Sequence, residues 1–502
     1  MPDSRAGDYP TSEPLSVVVI GASGDLALKK IFPALFALYM QDLLPERFHI
    51  FGFARTAMDD GAFRAAVSKH LTCRYTADGN CHEEIASFLQ RCYYVAGQYD
   101  SADSFLNLYA VMHGFEGEGR ANRMYYMSIP PFLFDDVARA VGDAGLVSCG
   151  GGPGWSRAVI EKPFGQDRAS SDELVSGMAQ IFVEDQTYRI DHYLGKEVVQ
   201  NLLVLRLANL IFEPLWNRTW IENVHIQWKE DIGVETRAGY FDQYGIIRDV
   251  MQNHLLQMLS LIAMEPPVNF EARHISNEKA KVLSSIAPLT LDRLVVGQYE
   301  AATYQGQARR GYLEEKDIPA DSVTPTFAGA VLHINNQRWA GVPFLLTAGK
   351  GLDGHLAEIR LRFRQVPGEM FRRFEENLES NELVIRIQPD AAIYFCIVNK
   401  APGLEMKLVQ TTLNLRYESA FKEKIPDAYE SLLLDVIQGD RSLFIRKDEL
   451  AAAWDIFTPV LHELEEQRIQ PERYGFGTRG PERASALAAQ FGFWQKGGDD
   501  GC

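Results

Sequence analysis

The chain has 502 residues, room for more than one domain, and its 46% hydrophobic, 23% charged composition suits a globular protein with a large core. A net charge of −17 argues against a nucleic-acid or anionic-membrane partner, so positive charge that grips a phosphate must be gathered locally. Six cysteines without a C-x-x-C pair fit reduced thiols, and His70, Cys73, Cys81, His82 and Cys92 match no zinc spacing, so no metal is expected.

Residues 1–14 are polar and read as a flexible tail without a secretory signal. Arg206 interrupts the most apolar helix, so no run reaches transmembrane length. The last residues, Gly-Gly-Asp-Asp-Gly-Cys, match no lipidation or organelle signal, and the expected compartment is the cytoplasm.

Leu15–Ile20 is an apolar, β-branched run that predicts a buried parallel strand. Gly21-Ala22-Ser23-Gly24-Asp25-Leu26-Ala27 follows, then a helical pattern over Lys29–Tyr39 that Pro33 should kink or shorten. Strand, glycine turn and helix is the context of a dinucleotide site, where backbone N–H groups meet the pyrophosphate. The spacing is G-x-x-G-x-x-A, so the motif is weak by itself. His49–Arg55 reads as the second strand. Arg55 stands at its end, where an acidic residue would hold the ribose of NAD; an arginine there favours the 2′-phosphate of NADP, against the reading of an ordinary surface arginine.

Strands are predicted at 92–97, 123–129 and 156–160, and helices at 103–113 and 133–141. Glu161-Lys162-Pro163-Phe164-Gly165 closes the last strand, and the proline holds Lys162 extended at the carboxyl end of the sheet. The alternation implies a Rossmann-like, doubly wound parallel sheet over residues 15–187, with Gly150–Gly152 as an internal loop.

Arg189-Ile190-Asp191-His192-Tyr193-Leu194-Gly195-Lys196-Glu197 gathers an acid, an imidazole, a phenol and a lysine in nine residues. On a helix His192 and Lys196 would share one face and could grip one phosphate; the alternative is an exposed helix start with ordinary polar pairs. Glu197–Phe212 reads as one long helix. From Ile221 the pattern changes to strands at 221–230, 328–336, 343–349, 357–366, 382–389, 392–399 and 407–417, a large, mostly antiparallel sheet covered by helices at 246–264, 427–438 and 447–467. The expected domains are 15–187 and 188–485, with a C-terminal tail at 486–502. Within Ile246–Met264, His254 lies on an apolar face. Such a histidine is ordinarily a core residue, yet burial beside a carboxylate also makes a general base. Asp249 points about 140° away from it on an ideal α-helix.

With Arg248-Asp249-Val250-Met251-Gln252-Asn253-His254, these motifs occur in an order that resembles the glucose-6-phosphate dehydrogenase family, from about residue 15 to Pro481. The resemblance implies oxidation of glucose 6-phosphate at C1 to the lactone, with hydride transfer to NADP. It implies His254 as the base and Asp191 as its partner. His192, Tyr193 and Lys196 would hold the phosphate; Glu230, Asp249, Lys350 and Gln388 would complete the sugar site. Gly21, Ala22, Ser23, Gly24, Asp25, Leu26, Lys30 and Arg55 would bind coenzyme, and Lys162 would touch both ligands. Phe134 and Leu28 depart from the family's tyrosine and lysine, and His355 from an arginine. Many eukaryotic relatives hold a second, structural NADP. Arg360, Arg386 and Arg479 match that site, but Leu356, Cys396, Thr347 and Asn414 replace charged positions, so it is expected to be absent or weak. A homodimer or homotetramer is implied. Two other readings stay open: another NAD(P)-linked sugar dehydrogenase, which Arg55 and the His192/Lys196 pair oppose, and an inactive regulatory homologue, which intact Asp191, Lys162 and His254 oppose.

Overall fold

The computed structural model describes residues 13–76, 79–117, 121–147, 154–367, 370–371, 374, 378–421 and 423–493. Most of the 1–14 tail, the Gly150–Gly152 loop and residues 494–502 lie outside them. The chain divides into two compact units. One comprises Met1–Gly195, Asn269–Ser276 and Pro426–Leu450; the other Lys196–Val268, Asn277–Ile425 and Ala451–Cys502.

The first unit is built on six strands: β1 Leu15–Ile20, β2 Phe48–Ala54, β3 Cys92–Ala96, β4 Asn122–Met127, β5 Ser156–Glu161 and β6 Thr187–Ile190. Their order is β3-β2-β1-β4-β5-β6, and every neighbouring pair is parallel. All six residues of β1 are buried, as expected for a strand covered on both faces. The strand order reverses between β1 and β4, which opens a crevice at their carboxyl ends.

The helix predicted over Lys29–Tyr39 begins as a π-helical turn, Ala27–Ile31, and continues as the α-helix Phe32–Met40. Pro33 sits at the start of that α-helix, where its missing N–H is tolerated, so it neither ends nor truncates the helix. The helix Ala428–Gln438, expected to cover the second sheet, instead belongs to the first unit. Tyr429, Leu432, Leu433 and Val436 join Val17, Leu35 and Phe36 in one apolar core.

Cys73 and Cys81 form a disulfide, which corrects the expectation of reduced thiols. Their Cα atoms are 5.4 Å apart, within bridging range, though no C-x-x-C spacing announces the pair. Cys92 is a buried free thiol whose pKa burial pushes up to about 12.

The second unit carries β7 Ile221–Lys229, β8 Leu294–Glu300, a short hairpin of β9 Ala302–Tyr304 and β10 Gln307–Arg309, then β11 Phe327–His333, β12 Pro343–Gly349, β13 Leu356–Phe363, β14 Glu382–Gln388, β15 Ala392–Lys400, β16 Leu408–Arg416 and β17 Glu472–Gly475. The large sheet runs β16-β15-β14-β13-β7-β12-β11-β8-β17. Only the β7–β12 and β8–β17 pairs are parallel. The helix expected over Glu197–Phe212 stops at Leu207, and Leu210 and Ile211 stand exposed beyond it. Arg206 is buried, and its guanidinium donates to the carbonyls of Leu261 (2.5 Å) and Met264 (2.8 Å) at the end of the helix Leu256–Ala263. There it satisfies carbonyls left open by the helix terminus. No helix among the described residues is long and apolar enough to cross a membrane.

Candidate active site

The coenzyme-side residues stand at the carboxyl ends of β1 and β2. Gly21 has φ +86°, and an added Cβ would come within 2.2 Å of the Ser128 carbonyl oxygen after β4. Its N–H donates to Phe53 O (2.8 Å), and Gly24 N–H donates back to Gly21 O (2.9 Å). The turn therefore needs glycine and presents backbone at the sheet crevice, a cradle that fits a dinucleotide pyrophosphate. Asp25 is exposed and ion-paired with Lys29 (2.8 Å), which lowers its pKa. Ala22 is buried, Ser23 exposed and Leu26 half-buried in the same turn. Lys30 reaches Asp427 (3.3 Å), the residue that caps the helix Ala428–Gln438. Arg55 is exposed just past β2, with its guanidinium 5.2 Å from the centre of the Tyr99 ring. A planar cation held on an aromatic face suits a phosphate monoester. Phe134 is fully buried and offers nothing to this surface.

The Arg189–Glu197 stretch is not the helix start that its spacing suggests. Residues 192–195 form a turn, with a bend at Lys196, between β6 and the helix Glu197–Leu207, so the i,i+4 argument for His192 and Lys196 fails. Arg189 is structural: buried, it pairs through two nitrogens with Glu184 (2.8 and 3.0 Å) and donates to Ile445 O. Asp191 is buried, and its Oδ1 accepts from Tyr193 N (3.0 Å). His192 is half-buried, its ring nearly parallel to that of Tyr429 at 6.2 Å. Gly195 fits so close to the helix Ala428–Gln438 that a Cβ would lie 2.5 Å from Ala428 O. Lys162 follows β5, joined to Pro163 by a cis peptide bond.

Sequence reasoning missed the groups beneath this turn. Glu161 is buried, accepts from Tyr126 Oη (2.5 Å) and also from Tyr429. Burial pushes its carboxyl up to about 7, although the two hydroxyls and Lys162 favour the charged form. Tyr429 lies far along the chain with no local motif; only the glycine required at Gly195 hints at a close approach.

In the second unit, register assembles the remaining residues. The parallel pairing of Lys229 with Gly349 makes Glu230 and Lys350 neighbours just past the strand ends. Their side chains pair at 2.5 Å, with the Lys350 ammonium over the Trp228 ring. The antiparallel pairings of Leu356 with Lys229 and Ala357 with Gln388 bring His355 and Gln388 to the same end. Lys196 donates to Gln388 Oε1 (2.5 Å), and Gln388 Nε2 lies 3.1 Å from His355 Nε2. Ile247–Leu255 is π-helical and packs against β7 and β12. A π-helical turn takes in more residues than the 3.6 of an α-helix, so the direction of Asp249 lies nearer that of His254 than the α-helical estimate of about 140°. Both are buried, and Asp249 faces Tyr240, whose pKa its charge helps to raise. His254 N–H donates to Asn253 Oδ1 (2.6 Å). A buried imidazole and carboxylate on Ile247–Leu255, with Glu230 and Lys350 just past the ends of the strands this segment packs against, can bind a polyhydroxylated anion and move a proton.

Residues 18–201 match the family model "Glucose-6-phosphate dehydrogenase, NAD binding domain", and residues 203–495 match "Glucose-6-phosphate dehydrogenase, C-terminal domain". A chloroplastic glucose-6-phosphate 1-dehydrogenase from Spinacia oleracea is 54% identical over 95% of this chain and 83% of its own length. A cytoplasmic isoform from Solanum tuberosum is 47% identical over 98% of this chain and 94% of its own. A solved structure of glucose-6-phosphate dehydrogenase with its substrate glucose-6-phosphate superposes with a TM-score of 0.90 at 40% identity, covering 97% of this chain and 99% of the other. The chain belongs to the glucose-6-phosphate dehydrogenase family, an oxidoreductase family with a nicotinamide-coenzyme domain. The expectation of a cytoplasmic protein is overturned: the chloroplastic relative is more similar to this chain than the cytoplasmic isoform is.

Proposed function

We propose that this member of the glucose-6-phosphate dehydrogenase family oxidises D-glucose 6-phosphate at C1 to 6-phospho-D-glucono-1,5-lactone and prefers NADP to NAD. The observation that carries this reading is that both family models match, over residues 18–201 and 203–495, a chain that also carries Lys162, Asp191 and His254. Gly21–Leu26, with Lys30, would hold the coenzyme phosphates, and Arg55 the 2′-phosphate; the glycine cradle and the exposed guanidinium fit that group. When bound, the nicotinamide supplies an acceptor for the C1 hydride.

The protein's own work is orientation and proton transfer. His254 takes the proton from the C1 hydroxyl as the hydride leaves. Asp191 orients the imidazole and stabilises its charged form, a role that suits a buried carboxylate fixed by Tyr193 N. His192, Tyr193 and Lys196 grip the phosphate. Glu230, Asp249, Lys350 and Gln388 bind the sugar, and Lys162 lies toward both ligands. Glu230 pairs with Lys350, and Lys196 donates to Gln388, so each of these buried or half-buried cations has a polar partner. The phosphate anchor is remote from C1 and fixes the reacting geometry by binding energy.

A second, structural NADP is proposed to be absent or weak. Arg360 and Arg386 both pair with Glu358, which is fully buried (2.5 and 3.4 Å), and Arg479 pairs with Asp353 (3.4 Å), so these cations already have anions. Leu356, Thr347, Cys396 and Asn414 add no positive charge. The proposed assembly is a homodimer or homotetramer; the edge strand β16 leaves Leu413 and Leu415 exposed, as an interface strand would. The proposed division of labour assigns 15–187 to coenzyme and 188–485 to substrate. A steady-state assay of reduced coenzyme with glucose 6-phosphate and each coenzyme tests the reading. No turnover with bound substrate would refute it in favour of an inactive homologue.

A further inference from the structure

Glu161 has no part in the proton and hydride transfers above, yet it lies beneath the residues proposed to meet the substrate phosphate. It closes β5 and is 7% exposed. Four groups of the first unit face it. Tyr126 on β4 donates to Oε1 (2.5 Å), and Tyr429 on the helix Ala428–Gln438 donates a second hydrogen bond. Lys162 adjoins it in the chain, and Asp191, past β6, adds a second negative charge. The Tyr429 ring in turn lies parallel to His192. Glu430, the next residue of the helix, accepts from Arg74 (3.0 Å) and Tyr75 (2.5 Å), so the helix turn bearing Tyr429 is fixed from its other side.

A carboxylate only accepts hydrogen bonds, whereas a carboxylic acid also donates one. When Glu161 is charged, both tyrosine hydroxyls are committed to it. When it is protonated, its own O–H can point to the Tyr429 oxygen while Tyr126 still donates to the other oxygen. The Tyr429 hydroxyl is then released to donate elsewhere. Protonation also removes one of the two negative charges beside the His192 turn. Both changes favour the arrival of an anion, and an arriving anion in turn favours the proton.

We propose that Glu161 is a positioning residue that takes up one proton as the phosphate of the substrate settles beside His192, and so makes Tyr429 a donor on the phosphate side. This rests on the reading of His192 as part of the phosphate grip. The proton comes from solvent, one O–H bond forms at the carboxylate, and departure of the anion returns the proton. The shift of the Glu161 carboxyl to about 7 places the exchange within the working pH range.

Calorimetric titration of glucose 6-phosphate into the full chain, in two buffers of different ionisation enthalpy, reads the protons taken up per site. Near neutral pH, wild type takes up about half a proton more than Glu161→Gln. From about pH 6.5 to about pH 8.5 its affinity falls several-fold further than the variant's. Equal uptake and parallel affinity profiles in folded Glu161→Gln overturn the inference and leave the proposed function standing. Failure of wild type to bind glucose 6-phosphate removes the functional reading and this inference with it. Tyr126→Phe is the second probe, and it decides if Glu161→Gln does not fold. Losing a donor to the carboxylate moves the midpoint of proton uptake to higher pH, and an unmoved midpoint overturns the inference.

Discussion

The two units build their halves of the chemistry by different means. In the first, the coenzyme side is made of backbone: a glycine turn at the end of β1, pressed against Ser128, with Arg55 one strand away. In the second, the substrate side is made of side chains that meet through strand register, with a π-helical segment beside them: Glu230 beside Lys350, Gln388 beside His355 and Lys196, and the buried Asp249 and His254 on Ile247–Leu255. A backbone cradle leaves a local trace in sequence, because only certain residues can form it. A register-built site leaves none, because its members are ordinary polar residues until the sheet aligns them.

This contrast predicts where single substitutions act. The largest effect belongs to the π-helical side. His254→Asn should lower kcat by about 10²–10⁴-fold while glucose 6-phosphate still binds, read by steady-state rates beside a binding titration. A loss under about tenfold would mean the base lies elsewhere. On the backbone side, Arg55→Ala removes a charge-assisted contact of about 1.5–3 kcal/mol, a rise of roughly 10–100-fold in KM for NADP. KM for NAD and for glucose 6-phosphate should stay unchanged. An equal rise for NAD would make Arg55 a general feature of the surface rather than a 2′-phosphate reader.

Glu161 should show itself in stability. Its folded pKa, about 7, is raised above the ordinary carboxylate value of 4.5 by burial. The stabilisation from the buried neutral acid is therefore present below the unfolded value and lost as pH rises through about 7. Relative to wild type, Glu161→Gln should gain on the order of 1–3 kcal/mol between about pH 5 and about pH 8, measured by denaturant unfolding. A constant difference across that range would place the ionisation elsewhere. The smallest expected signal is a stoichiometry. Equilibrium dialysis should find one tightly bound NADP per subunit, and two would show that Glu358 does not occupy Arg360 and Arg386 to the exclusion of a phosphate.

The same contrast explains what was legible beforehand. Leu15–Ile20 and Pro343–Gly349 are largely apolar runs, each with a single hydroxyl residue, and both form strands with the predicted bounds. β8 was not foreseen, because Gly297 and the buried Gln298, which donates to Ser322 and Thr324 carbonyls, interrupt its apolar pattern. The overlong helix after Lys196 arose from Leu210 and Ile211, apolar residues that face outward rather than inward. Both π-helical segments were invisible, because apolar spacing reports an average helical period and not a local widening. The motif residues Asp191, His192, Lys162 and His254 were all singled out. Their surroundings were not, since Tyr126, Glu161 and Tyr429 come together only through sheet order and a helix from the far end of the chain.

A single coenzyme assay of the wild-type chain tests the proposed reaction most directly. Formation of reduced coenzyme is followed with glucose 6-phosphate or unphosphorylated glucose, each with NADP or NAD. The predicted result is rapid reduction of NADP that requires the phosphate, with NAD markedly slower. No reduction of either coenzyme, with glucose 6-phosphate demonstrably bound, would contradict the account and leave the chain a sugar-phosphate-binding relative without the reaction.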